Sequence, residues 1–213
     1  MKPTKWALVL MLLSCALAAA QTAPAAKPAA PKKASQAAKS ATAKAPAANP
    51  TMAQVLDRGF RNMESEFVSA ADAMPEDKYG FAPSDGEFKG VRTFAQQVKH
   101  VAASNYIICA AIAGEKPPVD VGSENGPDAI ASKADIMNFL KNSFAYGHKA
   151  LSTVTPRNAT GSIQFPFGPG KTTRLAMAVL ATAHPFDHYG QMVEYLRMNG
   201  IIPPASRPQP AKQ

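Results

Sequence analysis

Apolar side chains recur at every third or fourth position along four long stretches of the chain, and this spacing limits what the chain can fold into. It is the spacing of one face of an α-helix, which buries such a stripe against other helices. Threonines that can cap a helix open three of the stretches, and a proline or glycine follows each of the four. We place the helices at residues 51–74, 94–113, 127 or 133–154 and 172 or 173–198.

Two of the connections between these helices are long and rich in glycine, proline and polar residues. They read PEDKYGFAPSDGEFKG and PRNATGSIQFPFGPGK. Residues 163–165 could extend briefly, but the glycines and prolines around them argue against a sheet. The sequence therefore predicts an all-α protein, a four-helix bundle with long connecting loops over residues 51–204, followed by a tail at 205–213.

Residues 1–20 have the features of a secretory signal peptide. Two lysines precede a short apolar run, and small residues ending in Ala-Leu-Ala-Ala-Ala come before Gln21. A permanent transmembrane span needs roughly 20 apolar residues and is less consistent with this pattern. Lipid anchoring at Cys15 is a second alternative. We therefore expect an exported protein, periplasmic or secreted, with no transmembrane span.

Residues 21–50 consist mainly of alanine, proline and lysine, with no acidic or aromatic residue. Such a segment cannot bury enough apolar surface to fold, so we predict a disordered linker. Of the 23 basic residues, seven lie within the first fifty positions, leaving 16 against 15 acidic residues in the remainder. The net charge of +8 thus belongs mostly to the leader and linker, and we expect no nucleic acid partner.

The chain contains two cysteines, Cys15 and Cys109. If Cys15 leaves with the signal peptide or is lipidated, Cys109 has no partner for an intramolecular disulfide. Cys109 is then a small core residue, and the stability of the domain must come from its apolar interior.

Three of the four histidines are candidates for metal ligands. His184 and His188 are four positions apart in the last helix, so both imidazoles lie on one face. His100 is surrounded by core-like residues in the second helix, and facing helices of a bundle can bring such side chains together. Three imidazoles suit Zn²⁺, Ni²⁺, Fe²⁺ or Cu²⁺. The alternative is that the histidines only pack. His148, near the end of the third helix, is expected to interact with the helix dipole.

Two motifs contain these histidines. The segment HPFDHYGQ at residues 184–191, followed by YLRMNGIIPP at 195–204, resembles the C-terminal signature of the DinB-like (DinB/YfiT) superfamily. TFAQQVKHVA at 93–102 is similar to the second helix of that family, and YGFAP at 79–83 to the connection before it. The resemblance covers roughly residues 50–204.

The resemblance implies a four-helix bundle whose ligand histidines project into a cavity at one end. It implies a divalent metal ion, most often zinc or nickel, and a homodimer as one expected assembly. Characterised relatives include thiol-dependent transferases and hydrolases. Low-molecular-weight thiols belong mainly to the reducing cytoplasm, so an exported member is expected to have another activity.

Further residues are candidates for a supporting role. Helix geometry places Gln191 three positions after His188 and Gln97 three before His100, where they could line the cavity. Asp187 could accept the far N–H of a ligand histidine. Pro185 removes a helix hydrogen bond next to a ligand and predicts a kink or a π-bulge.

We predict a metal-dependent hydrolase or group transferase acting on a small molecule of unknown identity, with catalytic residues unknown. A non-catalytic metal or small-ligand binding protein is the alternative. A structural bundle with packed histidines is the third interpretation. The phosphate-binding loop, the Gly-x-Ser-x-Gly elbow and the Cys-x-x-Cys pair are all absent from the sequence.

Overall fold

Four α-helices account for most of residues 49–208, the part of the chain that the computed structural model describes. They are α1 (Met52–Ala73), α2 (Phe94–Ala113), α3 (Lys133–Ser152) and α4 (Arg174–Met198). Each helix begins after a serine or threonine whose hydroxyl accepts a hydrogen bond from the backbone N–H three residues later. The prediction of four helices is confirmed, and α3 takes the later of its two predicted starts.

The predicted signal peptide and all but the end of the predicted linker lie outside the described residues. A short 3₁₀ helix, Pro204–Ser206, covers the end of the predicted domain and the first two residues of the predicted tail. Among the helices of residues 49–208, none has both the length and the apolarity needed to cross a membrane.

The helices pack as a bundle in which α1 and α2 each contact both α3 and α4. Large apolar side chains from all four helices meet at the centre and are completely buried. They include Phe60, Phe67, Phe94, Phe144, Leu140, Ile108 and Met192. Burying one such side chain contributes about 1.5–3 kcal/mol, so this core is the main source of stability. Cys109 belongs to it, and burial raises the pKa of its thiol to about 12.

The connection between α3 and α4 contains a small antiparallel sheet, so the expectation of no sheet is wrong. Strand β1 (Ser162–Gln164) pairs with β2 (Lys171–Thr173), and Ile163 lies opposite Thr172. Two of the three prolines and two of the three glycines of this connection lie in the hairpin turn between the strands, where they interrupt no pairing. Gly170, with φ of 113°, takes a conformation there that glycine adopts most readily.

Pro185 lies inside α4, which remains α-helical on both sides of it, with no π-helical residue. The missing proline N–H leaves the carbonyl of Ala181 without its usual helix partner. Gly190 of the same helix makes no close contact with another helix. A Cβ atom added at Gly190 would have nothing within 4 Å.

Candidate metal centre

Three imidazoles converge between α2 and α4. His184 and His188 are one turn apart on α4, and His100 projects from the facing side of α2. The Nε2 atom of His184 lies 3.2 Å from Nε2 of His100 and 3.2 Å from Nε2 of His188. One ring nitrogen from each residue lies within 4.8 Å of the other two. The structure thus brings together the three histidines that the sequence singled out.

The outer nitrogens of two rings are held by hydrogen bonds. His188 Nδ1–H donates to Oε1 of Gln97 at 2.6 Å, and His100 Nδ1–H donates to the backbone carbonyl of Glu124. Gln97 in turn donates from Nε2 to Oε1 of Gln191 at 2.7 Å. These bonds leave the Nε2 lone pairs of His100 and His188 directed toward the centre.

Asp187 takes a different place from the one proposed for it. Its carboxylate is exposed and lies 3.4 Å from Nε2 of Gln191. For the three converging histidines, the N–H acceptors within residues 49–208 are the Gln97 amide and the Glu124 carbonyl. Nδ1 of His184 is buried and has no hydrogen-bond partner in this part of the chain.

The loop between α2 and α3, residues 114–132, is held against the centre by residues that sequence analysis missed. Lys99 is buried, and its Nζ donates to the carbonyls of Pro127 at 3.0 Å and Ile130 at 3.1 Å. Gly126, at φ of 78°, lies so close to α2 that a Cβ there would be 2.6 Å from Cβ of Lys99. Because the loop approaches α2 this closely, the Glu124 carbonyl can accept the hydrogen bond from Nδ1 of His100. The sequence signal for this arrangement was Lys99, a basic residue on the core side of α2. The contact of the Glu124 carbonyl has no sequence signal, because every residue has a backbone carbonyl.

Burial keeps the three imidazoles neutral. Loss of solvation, followed by the neighbouring imidazoles, lowers the pKa of His188 to about 3 and that of His184 to about 4. Burial also lowers the pKa of His100. The neutral imidazole is the form that binds metal ions, so the three rings are ready to act as ligands at neutral pH.

These pKa values predict that the metal-free protein loses stability on acidification. An unfolded histidine takes up a proton near pH 6.5, whereas the folded rings resist protonation until lower pH. The free energy of unfolding should therefore be highest above about pH 6.5 and fall as the pH drops toward the folded pKa values. Urea denaturation with a chelator at pH 7 and pH 5, where carboxylates stay ionised, measures this. His184→Gln should show a smaller fall, and equal midpoints at both pH values would contradict the assignment.

The sequence pattern that describes the DinB superfamily matches residues 60–192. The chain belongs to the DinB superfamily. This confirms the resemblance found in the two histidine-containing motifs. No functionally curated protein matches the chain.

Three solved structures have a similar fold, and two of them are structures of DinB-like proteins. A DinB-like protein from Bacillus cereus ATCC 10987 has 17% identity and a TM-score of 0.55, covering 70% of this chain and 93% of its own. A DinB-like protein from Bacillus subtilis has 19% identity and a TM-score of 0.53, covering 68% and 92%. A conserved protein from Enterococcus faecalis has 16% identity and a TM-score of 0.56, covering 70% and 98%.

The donor set of this DinB-superfamily chain fits a divalent cation. Nitrogen ligands 2.0–2.1 Å from a tetrahedral zinc ion lie about 3.3 Å from one another, close to the 3.2 Å separations here. Because His100 and His188 carry their protons on Nδ1, a single proton on His184 Nε2 can satisfy only one of the two facing lone pairs. A cation satisfies all three nitrogens and leaves coordination positions for other ligands.

The fourth histidine lies elsewhere. His148 on α3 bridges two carboxylates of α1, with Nδ1 at 2.5 Å from Asp57 and Nε2 at 2.9 Å from Glu64. It therefore links two helices through carboxylates, instead of only meeting the dipole of its own helix as expected. This separation from the centre makes His148 a natural control in experiments on metal binding.

A cavity of about 290 Å³ lies beside His100. Ser104 and Ile107 of α2 form one side, Ser123 lies on the loop between α2 and α3, and Phe167 comes from the turn of the hairpin. The cavity is close to the lower limit of about 300 Å³ for small-molecule sites, and its lining combines apolar side chains with two serines.

Proposed function

We propose that this protein binds a divalent metal ion through His100, His184 and His188 and uses it to hydrolyse or transfer a group on a small molecule. The observation that carries the proposal is the convergence of three neutral Nε2 atoms, with separations of 3.2 Å from His184 to each of the other two. Zinc or nickel is the expected ion, because both accept imidazole ligands readily.

The residues around the centre would act by fixing the ligands. Gln97 and the Glu124 carbonyl hold the protons of His188 and His100 on Nδ1, which keeps Nε2 free. A bound ion would supply Lewis-acid activation of the substrate at its open positions. The cavity beside His100 would hold the rest of a small substrate.

A non-catalytic metal or small-ligand binding protein is the second candidate. The rings of His100, His184 and His188 lie against one another, and two of them also hydrogen-bond to Gln97 or to a backbone carbonyl. Within residues 49–208, no carboxylate hydrogen-bonds to these three rings. Hydrolysis needs a group that accepts a proton. Turnover of a substrate by the metal-loaded protein, and its loss on metal removal, would favour the enzyme over this alternative.

Metal content tests the proposal. The full chain should carry a near-stoichiometric divalent ion, measured by elemental mass spectrometry, and His188→Ala should lose it because one of three ligands is gone. His148→Ala removes a histidine outside the centre and should retain the metal. A folded parent protein that takes up neither Zn²⁺ nor Ni²⁺ would refute the proposal.

Export and self-association are further parts of the proposal. Export to the periplasm or the medium rests on the sequence features of residues 1–20, and homodimer formation on the family resemblance. Mass spectrometry of the protein recovered from its producing cell checks the first, since cleavage would leave Gln21 as the first residue. Sedimentation of the purified chain checks the second.

A further inference from the structure

A groove runs along one face of α2, from the metal centre toward the hairpin. The residues of this face recur every three or four positions and are His100, Ser104, Ile107, Ala111 and Gly114. They line two cavities, one of about 290 Å³ beside His100 and one of about 660 Å³ near the end of the helix. Ile107 lines both, so the cavities follow each other along α2. At a rise of 1.5 Å per residue, the groove is about 21 Å long.

The walls of the groove come from two segments outside the helices. The loop between α2 and α3 contributes Ser123 to the first cavity and Pro117 to the second. The hairpin contributes Phe167 to the first cavity and Ile163 to the second. Both cavities are therefore completed by the hairpin, the element that sequence analysis missed.

The groove exists because this face of α2 has small side chains. The opposite face packs into the core with large residues such as Ile108, which is completely buried. Ser104 and Ala111 are too small to fill the space under the loop and the hairpin. Phe167 remains 48% exposed at the first cavity, and exposed apolar surface in a concave site is typical of ligand binding.

The lining of the groove favours an uncharged apolar ligand. Charged residues do line the two cavities, but all of them are exposed: Glu115, Lys116, Glu124 and Lys171. Their charges are therefore screened by water. Between them lie the alanines of α2, Ile107 and Phe167. An apolar group placed there gains by leaving water.

We infer that the groove binds an unbranched apolar chain of the substrate, while the group to be hydrolysed or transferred lies at the metal centre. This inference rests on the proposed function and names its substrate class. The first cavity begins at His100, one of the three ligands, and the second continues past Ile107. Two cavities in line fit a long, thin group better than a compact one.

Hydroxamates with linear alkyl tails test the inference. The full chain is loaded with Co²⁺, whose visible absorption responds to changes in its ligands, and is titrated with a series from acetohydroxamate to dodecanohydroxamate. The hydroxamate group binds the metal ion and the tail is free to enter the groove. Affinity should rise about two- to fourfold for each added methylene, because each one leaves water.

Two substitutions locate the tail along the groove. Phe167→Ala removes apolar surface from the first cavity, so it should weaken octanohydroxamate about tenfold and leave acetohydroxamate unchanged. Ala111→Phe fills the second cavity and should weaken only the longest tails. Phe88→Ala is the matched control, because Phe88 is 38% exposed and lines neither cavity. It should keep the affinities of the parent.

The possible negative results have different meanings. If acetohydroxamate binds but affinity does not rise with tail length, the inference is overturned and the metal centre stands. A rise that is the same in the parent, Phe167→Ala and Ala111→Phe places the tail elsewhere and also overturns it. A parent chain that takes up no Co²⁺ overturns the proposed function, and the inference with it. Phe167 is half exposed, so its truncation leaves the core intact, and this variant decides the test if Ala111→Phe does not fold.

Discussion

Truncating Phe60 to alanine is expected to lower the free energy of unfolding by about 3–5 kcal/mol, a large part of the stability of a domain of this size. The Phe60 ring is completely buried. Its centroid lies 5.0 Å from that of Phe144 and 5.3 Å from that of His148. The substitution would leave a cavity between α1 and α3 that these neighbours cannot fill. Urea denaturation followed by circular dichroism measures the loss.

The same ring explains why α3 has a glycine at position 147. A Cβ atom added at Gly147 would lie 2.5 Å from Cε1 of Phe60 and 3.2 Å from Sγ of Cys109. Alanine normally stabilises a helix by about 1 kcal/mol relative to glycine, but crowding here should cost more, about 1–3 kcal/mol. Gly147→Ala alone should therefore destabilise the protein.

A double-mutant cycle tests this explanation. In the Phe60→Ala background the new methyl group enters space that the ring has left, so the two losses should not add. Gly190→Ala is the matched control, because a Cβ there meets nothing within 4 Å and should stabilise α4. If Gly147→Ala costs the same with and without the Phe60 ring, the close packing of α1 on α3 is not its cause.

The helices could be predicted from sequence because their signals are local. Apolar spacing and capping residues place α2 at residues 94–113, and Thr93 forms the capping box that begins it. The hairpin was missed for two reasons. Its strands are short, and its glycines and prolines were interpreted as evidence that the whole connection lacks strands. Those residues lie between β1 and β2, where a turn requires them.

The residues of the candidate site also fall into two groups, those with local sequence signals and those placed by tertiary contacts. His184 and His188 lie on one face of α4 because they are four positions apart. His100 could then be predicted to meet them, because its neighbours on α2 are core residues and the two helices face each other in a bundle. Gln97 was also found from helix spacing relative to His100, although its side chain hydrogen-bonds to His188 and Gln191 of α4. The Glu124 carbonyl was not found, because it reaches His100 through the approach of a loop whose path depends on tertiary contacts.

Binding of a divalent ion is expected to raise the free energy of unfolding by about 4 kcal/mol when the free ion is a thousand times its dissociation constant. The gain arises because the unfolded chain does not bring the three histidines together. The apolar core consists of side chains from all four helices, and the three histidines are not part of it. The chelator-treated protein should therefore stay helical and unfold cooperatively at a lower urea concentration.

Variants at two histidines separate this effect from general stability. His188→Ala should show no gain on adding Zn²⁺, because one ligand is lost. His148→Ala should lose stability through its broken contacts with Asp57 and Glu64, yet keep the full gain from the ion. If the chelator-treated parent is unfolded, the ion has a structural role, as in small zinc domains. If parent and His188→Ala gain equally, the ion is bound elsewhere. A gain that depends on His188 and not on His148 places binding at the convergence of α2 and α4.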